Sequence, residues 1–305
     1  FRRVLFRSAL FGTGLSREIT GKYAELIEAV NASPAPVLSC DIPSGIGADT
    51  GAVLGCGVRA KVTVTFNLPK TGQLLPPGTE YTGRLIVHDI GIPEAAKARV
   101  EFGGEYVTED LVKSWLPRPR LESHKGDYGK LLLLCGSTGF TGAAALSASG
   151  NGRFSRNALP DILDRLPDMD ACLLGPGIGY SYDTEEVVYG VLEAAACPLV
   201  LDADGINVIS GHIDRLDKAQ MPVVLTPHEG EFARLSDALG RSNRLDAAKE
   251  LAAQTGAVVA LKGYRTLIAA PDGRVRVNTT GNPGMAVGGS GDVLAGILTS
   301  FLGQG

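Results

Sequence analysis

The sequence predicts an α/β protein of two domains, each built on a mostly parallel sheet, and three observations carry that expectation. Short apolar runs recur along the 305 residues, most of them end in glycine, proline or a polar residue, and segments of helical spacing lie between them.

Taken in order, the strand candidates are PVLSCDIP (36–43), KVTVTFNLP (61–69), RLIVHDIGIP (84–93), KLLLLCGS (130–137), ACLLGPGIG (171–179), PLVLDADG (198–205), PVVLTPHEG (222–230) and AVVALKG (257–263). Their near-continuous apolar character suits parallel strands covered on both faces. Helical spacing marks GKYAELIEAVNAS (21–33), TEEVVYGVLEAAA (184–196) and RLDAAKELAAQTG (244–256). Around residues 94–126 the chain turns charged, proline-bearing and poor in strand signal, which sets the expected domains at 9–98 and 118–305 with a linker at 99–117.

With 44% hydrophobic and 20% charged residues, the chain has enough apolar surface for two cores. A formal charge of −4 and the lack of a long apolar run exclude nucleic acid and membrane as default partners. Five scattered cysteines without CxxC spacing read as buried free thiols in a reducing compartment, and the expected location is cytoplasmic. The opening FRRVLFRS lacks the features of a secretory signal. It reads as foreign sequence, with the native product expected to enter at about Ala9.

Chemistry-bearing residues gather where strands end, which is where open α/β sheets place ligands. In NPGMAVGGSGDVLAGI (282–297), glycines lead into Asp292 and an apolar run. A helix starting there aims unpaired N–H groups at an anion, so an acid at the same end is either a helix cap or a group that does chemistry. TPHEGEFARL (226–235) puts His228, Glu229 and Glu231 between a strand and a helix, either to meet a substrate or, for Glu231, to cap the helix. Lys262 and Gly263 in ALKGYRTLI stand where an ammonium and a backbone can hold phosphate, or in a solvated turn. GPGIG (175–179) is a tight turn. In the first half, FGTGLSREITG (11–21), CDIPSGIGADTG (40–51) and TFNLPKTGQLLPPG (65–78) form a second group at strand ends.

HKGDYGKLLLLCGS, GPGIG, LDADGIN, TPHEGEF, ALKGYRT and NPGMAVGGSGDVLAGI, in this order, resemble the dehydratase domain of the bifunctional NAD(P)H-hydrate repair enzymes, which has a ribokinase-like fold. The first-half motifs resemble the C-terminal part of the Rossmann-like epimerase domain fused to it. The resemblance implies ADP- or ATP-dependent dehydration of the S form of hydrated NADH or NADPH, with Mg²⁺ bridging the nucleotide phosphates, and epimerisation of the R and S hydrates with K⁺. It implies Asp292 as base and the amides of Gly289, Ser290 and Gly291 as anion hole. Lys262, Gly263, Tyr264, Arg265, Thr266 and Gly291 would contact the adenine nucleotide, while Ala143, Gly177, Gly179, His228 and Asp292 would contact the hydrate. In the epimerase domain it implies Asp41 as the catalytic carboxylate, Gly12, Thr13, Gly14, Leu15, Ser16 and Arg17 around the hydrate, and Ser44 as a K⁺ ligand. Homo-oligomer formation is left open.

The chain also departs from the family pattern. Ser8 stands where the family has an aspartate that binds K⁺, and by the resemblance the first half of the epimerase domain is expected to be absent. A strand–helix unit is expected to be absent near 149–157, as are closing helices after Gly305. The alternative readings are a ribokinase-like kinase of a vitamin precursor and a catalytically silent nucleotide-binding protein.

Overall fold

The computed structural model describes residues 6–100, 104–116, 122, 128–136 and 155–305. The chain divides into two compact units, residues 1–103 and 104–305.

In the first unit, β1 (Phe6–Ser8), β2 (Val37–Cys40), β3 (Val62–Phe66) and β4 (Arg84–His88) form an all-parallel sheet in that order. The helix Lys22–Ala32 buries Ile27 against Ile19, Val37 and Val58, with Phe11 and Leu15 packed alongside. The edge strand β4 leaves Ile86 and Val87 exposed, whereas its apolar run suggested cover on both faces. Residues 6–8, expected to precede the native product, pair with β2 as part of this sheet.

The second unit contains β5 (Glu105–Val107), β6 (Leu131–Leu134), β7 (Ala171–Leu174), β8 (Leu199–Leu201), β9 (Val223–Leu225), β10 (Val258–Leu261), β11 (Leu267–Ala269) and β12 (Val275–Asn278). Their order is β5-β12-β11-β10-β9-β8-β7-β6. All neighbours run parallel except β11, which is antiparallel to both β10 and β12. Strands β7, β8 and β9 are buried at every residue, as their continuous apolar runs require. Fully burying a side chain of the size of Leu174 or Val200 contributes about 1.5–3 kcal/mol.

One face of this sheet seats the helix Ser290–Leu302. Ala295, Leu298 and Leu302 recur at helical spacing and pack on Leu173, Val200 and Val224. That packing fixes the helix with its N-terminus at the same end of the sheet as the C-terminal ends of the parallel strands.

The expected linker 99–117 needs correction. Its residues 105–107 form β5, which pairs with β12, and Glu109–Trp115 form a helix capped by Thr108. The charge of this stretch reflects an edge strand and an exposed helix rather than an unstructured connection. All five cysteines are free, as expected, although Cys40 and Cys56 are only partly buried. Among the described residues, no helix is long and apolar enough to cross a membrane.

Candidate active sites

In the second unit, three strand ends converge on one ion pair. Asp202 follows β8, Thr226 follows β9 and Lys262 follows β10. The Lys262 ammonium lies 2.6 Å from Asp202 Oδ1, and the Thr226 hydroxyl donates to the same oxygen at 2.7 Å. Asp202 is 1% exposed. A Cβ on Gly291 would lie 3.6 Å from Lys262 Nζ and 4.0 Å from Asp202 Oδ2, so the opening turn of the 290–302 helix rests against this pair.

Asp292 is the next residue, exposed in the first turn of that helix. Among the described residues its carboxylate has no hydrogen bond or ion pair. The buried Cys135 thiol senses the same region: burial first, then the Asp292 and Asp202 charges, push it up to about 12.

The expected anion hole is only partly available. Ser290 spends its amide and its hydroxyl on the Val287 carbonyl, at 3.3 and 2.9 Å. Gly289 (φ 86°) and Gly291 keep amides with no acceptor among the described residues. A left-handed backbone at Gly289 is what lets the glycine loop turn sharply into the helix.

His228 caps the helix Glu229–Leu235. Its Nδ1 accepts the amides of Gly230 and Glu231 at 3.0 and 3.2 Å, and Glu231 Oε2 accepts the His228 amide at 2.8 Å. With Nδ1 acting as acceptor, the ring proton sits on Nε2, which faces Glu231 Oε1 at 3.3 Å. The capping reading of Glu231 is therefore realised, and the half-exposed His228 ring still borders the site.

The turn GPGIG is tied to the next loop. Gly179 donates its amide to Asp204 Oδ2 at 2.9 Å, and a Cβ on Gly175 would collide with the Asp202 carbonyl at 1.8 Å. Gly177 and Gly179 thus stand at the end of β7 beside the Asp202 loop. Ala143 lies outside the described residues.

Lys262 to Thr266 form the turn from β10 into β11, where the Thr266 hydroxyl donates to the Gly263 carbonyl at 3.1 Å. Arg265, with φ of 63°, donates to the Thr279 carbonyl and lies over the exposed Tyr264 ring. Arg244, which no motif suggested, holds this turn. It donates to the Tyr264 carbonyl at 3.1 Å, reaches Glu229 at 3.0 Å, and would collide with any Cβ on Gly263. Desolvation by burial lowers its guanidinium's proton affinity, and the Glu229 charge opposes that shift.

The first unit presents a different arrangement. Asp41, just past β2, takes φ of 63°, an uncommon conformation for a residue with a Cβ. Its Oδ1 accepts from Lys70 Nζ at 2.5 Å, the Thr65 hydroxyl at 3.1 Å and the Phe66 amide at 3.2 Å. Burial works to raise its pKa, but the hydrogen bonds from Lys70, Phe66 and Thr65 and the Lys70 charge outweigh burial and hold Asp41 below the usual 3.8. Lys70 lies within a quoted motif, although sequence alone did not assign it to the site.

Ser44 is fully buried. Its hydroxyl donates to the Phe11 carbonyl and accepts the amides of Leu10 and Phe11 and the Ser8 hydroxyl. These bonds bring the start of the GTGLSR loop beside DIPSG. Gly12, Thr13, Gly14, Ser16 and Arg17 are exposed there. Leu15 instead turns its side chain into the apolar cluster and its amide to the Gly12 carbonyl, so it offers a ligand neither.

Comparison with known proteins agrees with both halves. Residues 7–72 match the model of the YjeF-related protein N-terminus, and residues 155–305 match that of NAD(P)H-hydrate dehydratase. The ADP/ATP-dependent NAD(P)H-hydrate dehydratase of Bacillus subtilis, co-crystallised with ATP and Mg²⁺, is 35% identical. That match covers 65% of this chain and 81% of the Bacillus chain, with a TM-score of 0.50. The chain belongs to the NAD(P)H-hydrate repair enzyme family. Within the family, the bifunctional repair enzyme Nnr of Thermofilum pendens is 39% identical over 341 residues, covering 97% of this chain and 64% of the relative. That of Escherichia coli is 35% identical over 330 residues, covering 98% and 63%. The chain thus spans less than two thirds of these relatives' length. Both alignments are longer than its 305 residues, so the relatives carry residues within the matched region that this chain lacks.

Proposed function

We propose that the second unit dehydrates the S form of hydrated NADH or NADPH at the expense of ADP or ATP, and that the first unit belongs to the epimerisation of the R and S hydrates. The observation that carries the first half is the position of Asp292, beside the Gly289 and Gly291 amides, which have no acceptor among the described residues, and next to Gly291, which borders the Lys262 ammonium.

Hydroxide is a poor leaving group, and phosphorylation makes it a good one. The C6 hydroxyl oxygen bonds to the terminal phosphorus, the bond from that phosphorus to the AMP or ADP oxygen breaks, and Asp292 takes the hydroxyl proton. Phosphate then leaves C6 as a C5 proton departs, which forms the ring double bond. These amides and the ammonium stabilise the charge on the phosphoryl oxygens. Gly177, Gly179 and His228 border the space for the hydrate, and the 262–266 turn, held by Arg244, supports the adenine nucleotide.

Mg²⁺ supplies further charge neutralisation when it arrives on the nucleotide phosphates. It is commonly held by one or two carboxylates plus phosphate. Glu231 lies 3.9 Å from Lys262 Nζ but is already engaged by the His228 amide and ring, and the described residues contain no group of three or more acidic, histidine or cysteine side chains that could hold a metal, so the ion would be held chiefly by the nucleotide phosphates. Potassium fits less well. Ser44 has its hydrogen bonds met by its neighbours, and the residue beside it is the neutral Ser8, so no step is routed through K⁺. In the first unit, Asp41 acts as a carboxylate acceptor at the C6 hydroxyl and Lys70 as the adjacent proton donor.

The test is NADH absorbance after purified S hydrate is mixed with the chain and ADP or ATP. A nucleotide-dependent rise is expected. A flat trace with both nucleotides removes the dehydratase reading for this chain.

A further inference from the structure

We propose that Asp202 is a positioning residue that holds Lys262 at the transferred phosphoryl group, so that Lys262 serves the reacting end of the nucleotide rather than its adenosine end. This rests on the nucleotide-dependent reading of the second unit.

The ammonium does not follow the rest of its loop. Tyr264 and Arg265 lie out on the turn, with Tyr264 largely exposed, whereas Lys262 Nζ points inward to the first turn of the 290–302 helix. Its side chain is 18% exposed, and the carboxylate that draws it there is 2% exposed. The Thr226 hydroxyl holds the same Asp202 oxygen from the strand between. Behind it, the Asp202 amide donates to the Leu174 carbonyl and the Asp202 carbonyl accepts the Gly205 amide, so the carboxylate is anchored by its own backbone.

A lysine side chain has a flexible four-carbon stem, and a buried partner removes that freedom. A buried ion pair is weak evidence for stability, because desolvation offsets the attraction, but it does fix where a charge stands. Here the fixed position is 3.6 Å from where a Cβ on Gly291 would stand, and the Gly291 amide, with no acceptor among the described residues, and the following Asp292 form the reacting end. A Cβ at Gly291 would stand in ordinary contact with Nζ, so the ammonium lies directly against this turn of the helix. Pre-placed charge at a phosphoryl group needs little rearrangement during transfer.

ADP and AMP differ only by the phosphoryl group to be transferred, so their affinity ratio reports on this contact. Calorimetry of the full chain with each nucleotide, in Mg²⁺ and in EDTA, should show ADP favoured. In Asp202→Asn the ADP affinity should fall on the order of tenfold to a hundredfold in both media, as expected for loss of one charge-assisted contact, while AMP changes by less than about threefold. Thr226→Val, which keeps both charges, should shift the ratio the same way by about threefold, and serves if Asp202→Asn does not fold. Lys262→Met should lose as much ADP affinity as Asp202→Asn, and the double variant no more than either.

Equal losses for ADP and AMP would overturn the proposal in favour of a general structural role, and a loss confined to Mg²⁺ would overturn it in favour of a metal ligand. Additive losses in the double variant, or no ADP preference in the unaltered chain, would also overturn it. None of these measurements uses hydrate, so a chain that turns over no hydrate defeats the dehydratase reading and leaves this test intact.

Discussion

Both units place an aspartate at a strand end with a lysine close by, Asp41 with Lys70 at 2.5 Å and Asp202 with Lys262 at 2.6 Å, but they use the pair differently. In the first unit the paired aspartate is itself the candidate catalytic group. In the second, the pair stands one residue from the candidate base, and Asp292 is left without a hydrogen bond among the described residues. A carboxylate that receives three donors is held in its charged form and works as a fixed acceptor. One without donors can take a proton without first giving up a partner. On the proposed reading, the comparison separates a site that would polarise a hydroxyl from one that would deprotonate it.

The largest expected effect tests Asp292. Asp292→Asn should reduce dehydration of the S hydrate by about a thousandfold or more while ADP affinity stays within about threefold, because shape is kept and the base is lost. Turnover followed at the NADH band, beside ADP calorimetry, checks it, and retained turnover would remove Asp292 from its role.

Next, Lys70→Met should slow interconversion of R and S hydrates by about a hundredfold and leave dehydration of purified S hydrate unchanged. Chromatography of the two epimers over time reads the first quantity. If both activities fall together, the division between the units fails.

A smaller effect concerns acid stability. Because Asp41 is held below its ordinary value, its contribution is present above about pH 3.9 and is lost as pH falls through the lower folded-state value. Removing Lys70 should move that loss to higher pH. Urea midpoints between pH 6 and 2 for the two chains would show it, and superimposable profiles would mean that the pair does not set the Asp41 charge.

The smallest effect falls on Arg244, which holds the 262–266 turn through the Tyr264 carbonyl and against Gly263, and is itself tied to Glu229. Arg244→Met should weaken ADP and AMP equally, by about fivefold. An effect on ADP alone would place Arg244 at the phosphates and blur its distinction from Lys262.

Much of the fold is legible because β7 to β9 are buried on both faces and therefore appear as unbroken apolar runs. The strands that escaped notice have a different character. β1 (FRS), β5 (EYV) and β12 (VRVN) are short and carry charge, and β11 has three residues, so pairing rather than composition makes them strands. The candidate sites divide in the same way. The glycine loop with Asp292, the HEGE turn and DIPSG are contiguous motifs, but Asp202 meets Lys262 across 60 residues and Lys70 meets Asp41 across 29. Such partners become visible only once the strands are aligned. Ser290 and Leu15 show the reverse, since both lie inside legible motifs but turn their amides to neighbouring carbonyls.

The single reversed strand, β11, also bears on how the second unit reaches its native state. Its pairings with β10 and β12 join residues within the span 258–278, while each parallel pairing from β6 to β10 must first close a much longer loop. Closing a short loop costs less entropy, and topologies rich in local contacts fold faster. The β10–β12 meander is therefore the part of the sheet able to form earliest, and it carries the 262–266 turn at one end and leads directly into the glycine loop. The nucleotide-facing backbone can thus be laid down by local pairing before the long crossovers bring Asp202 to meet it.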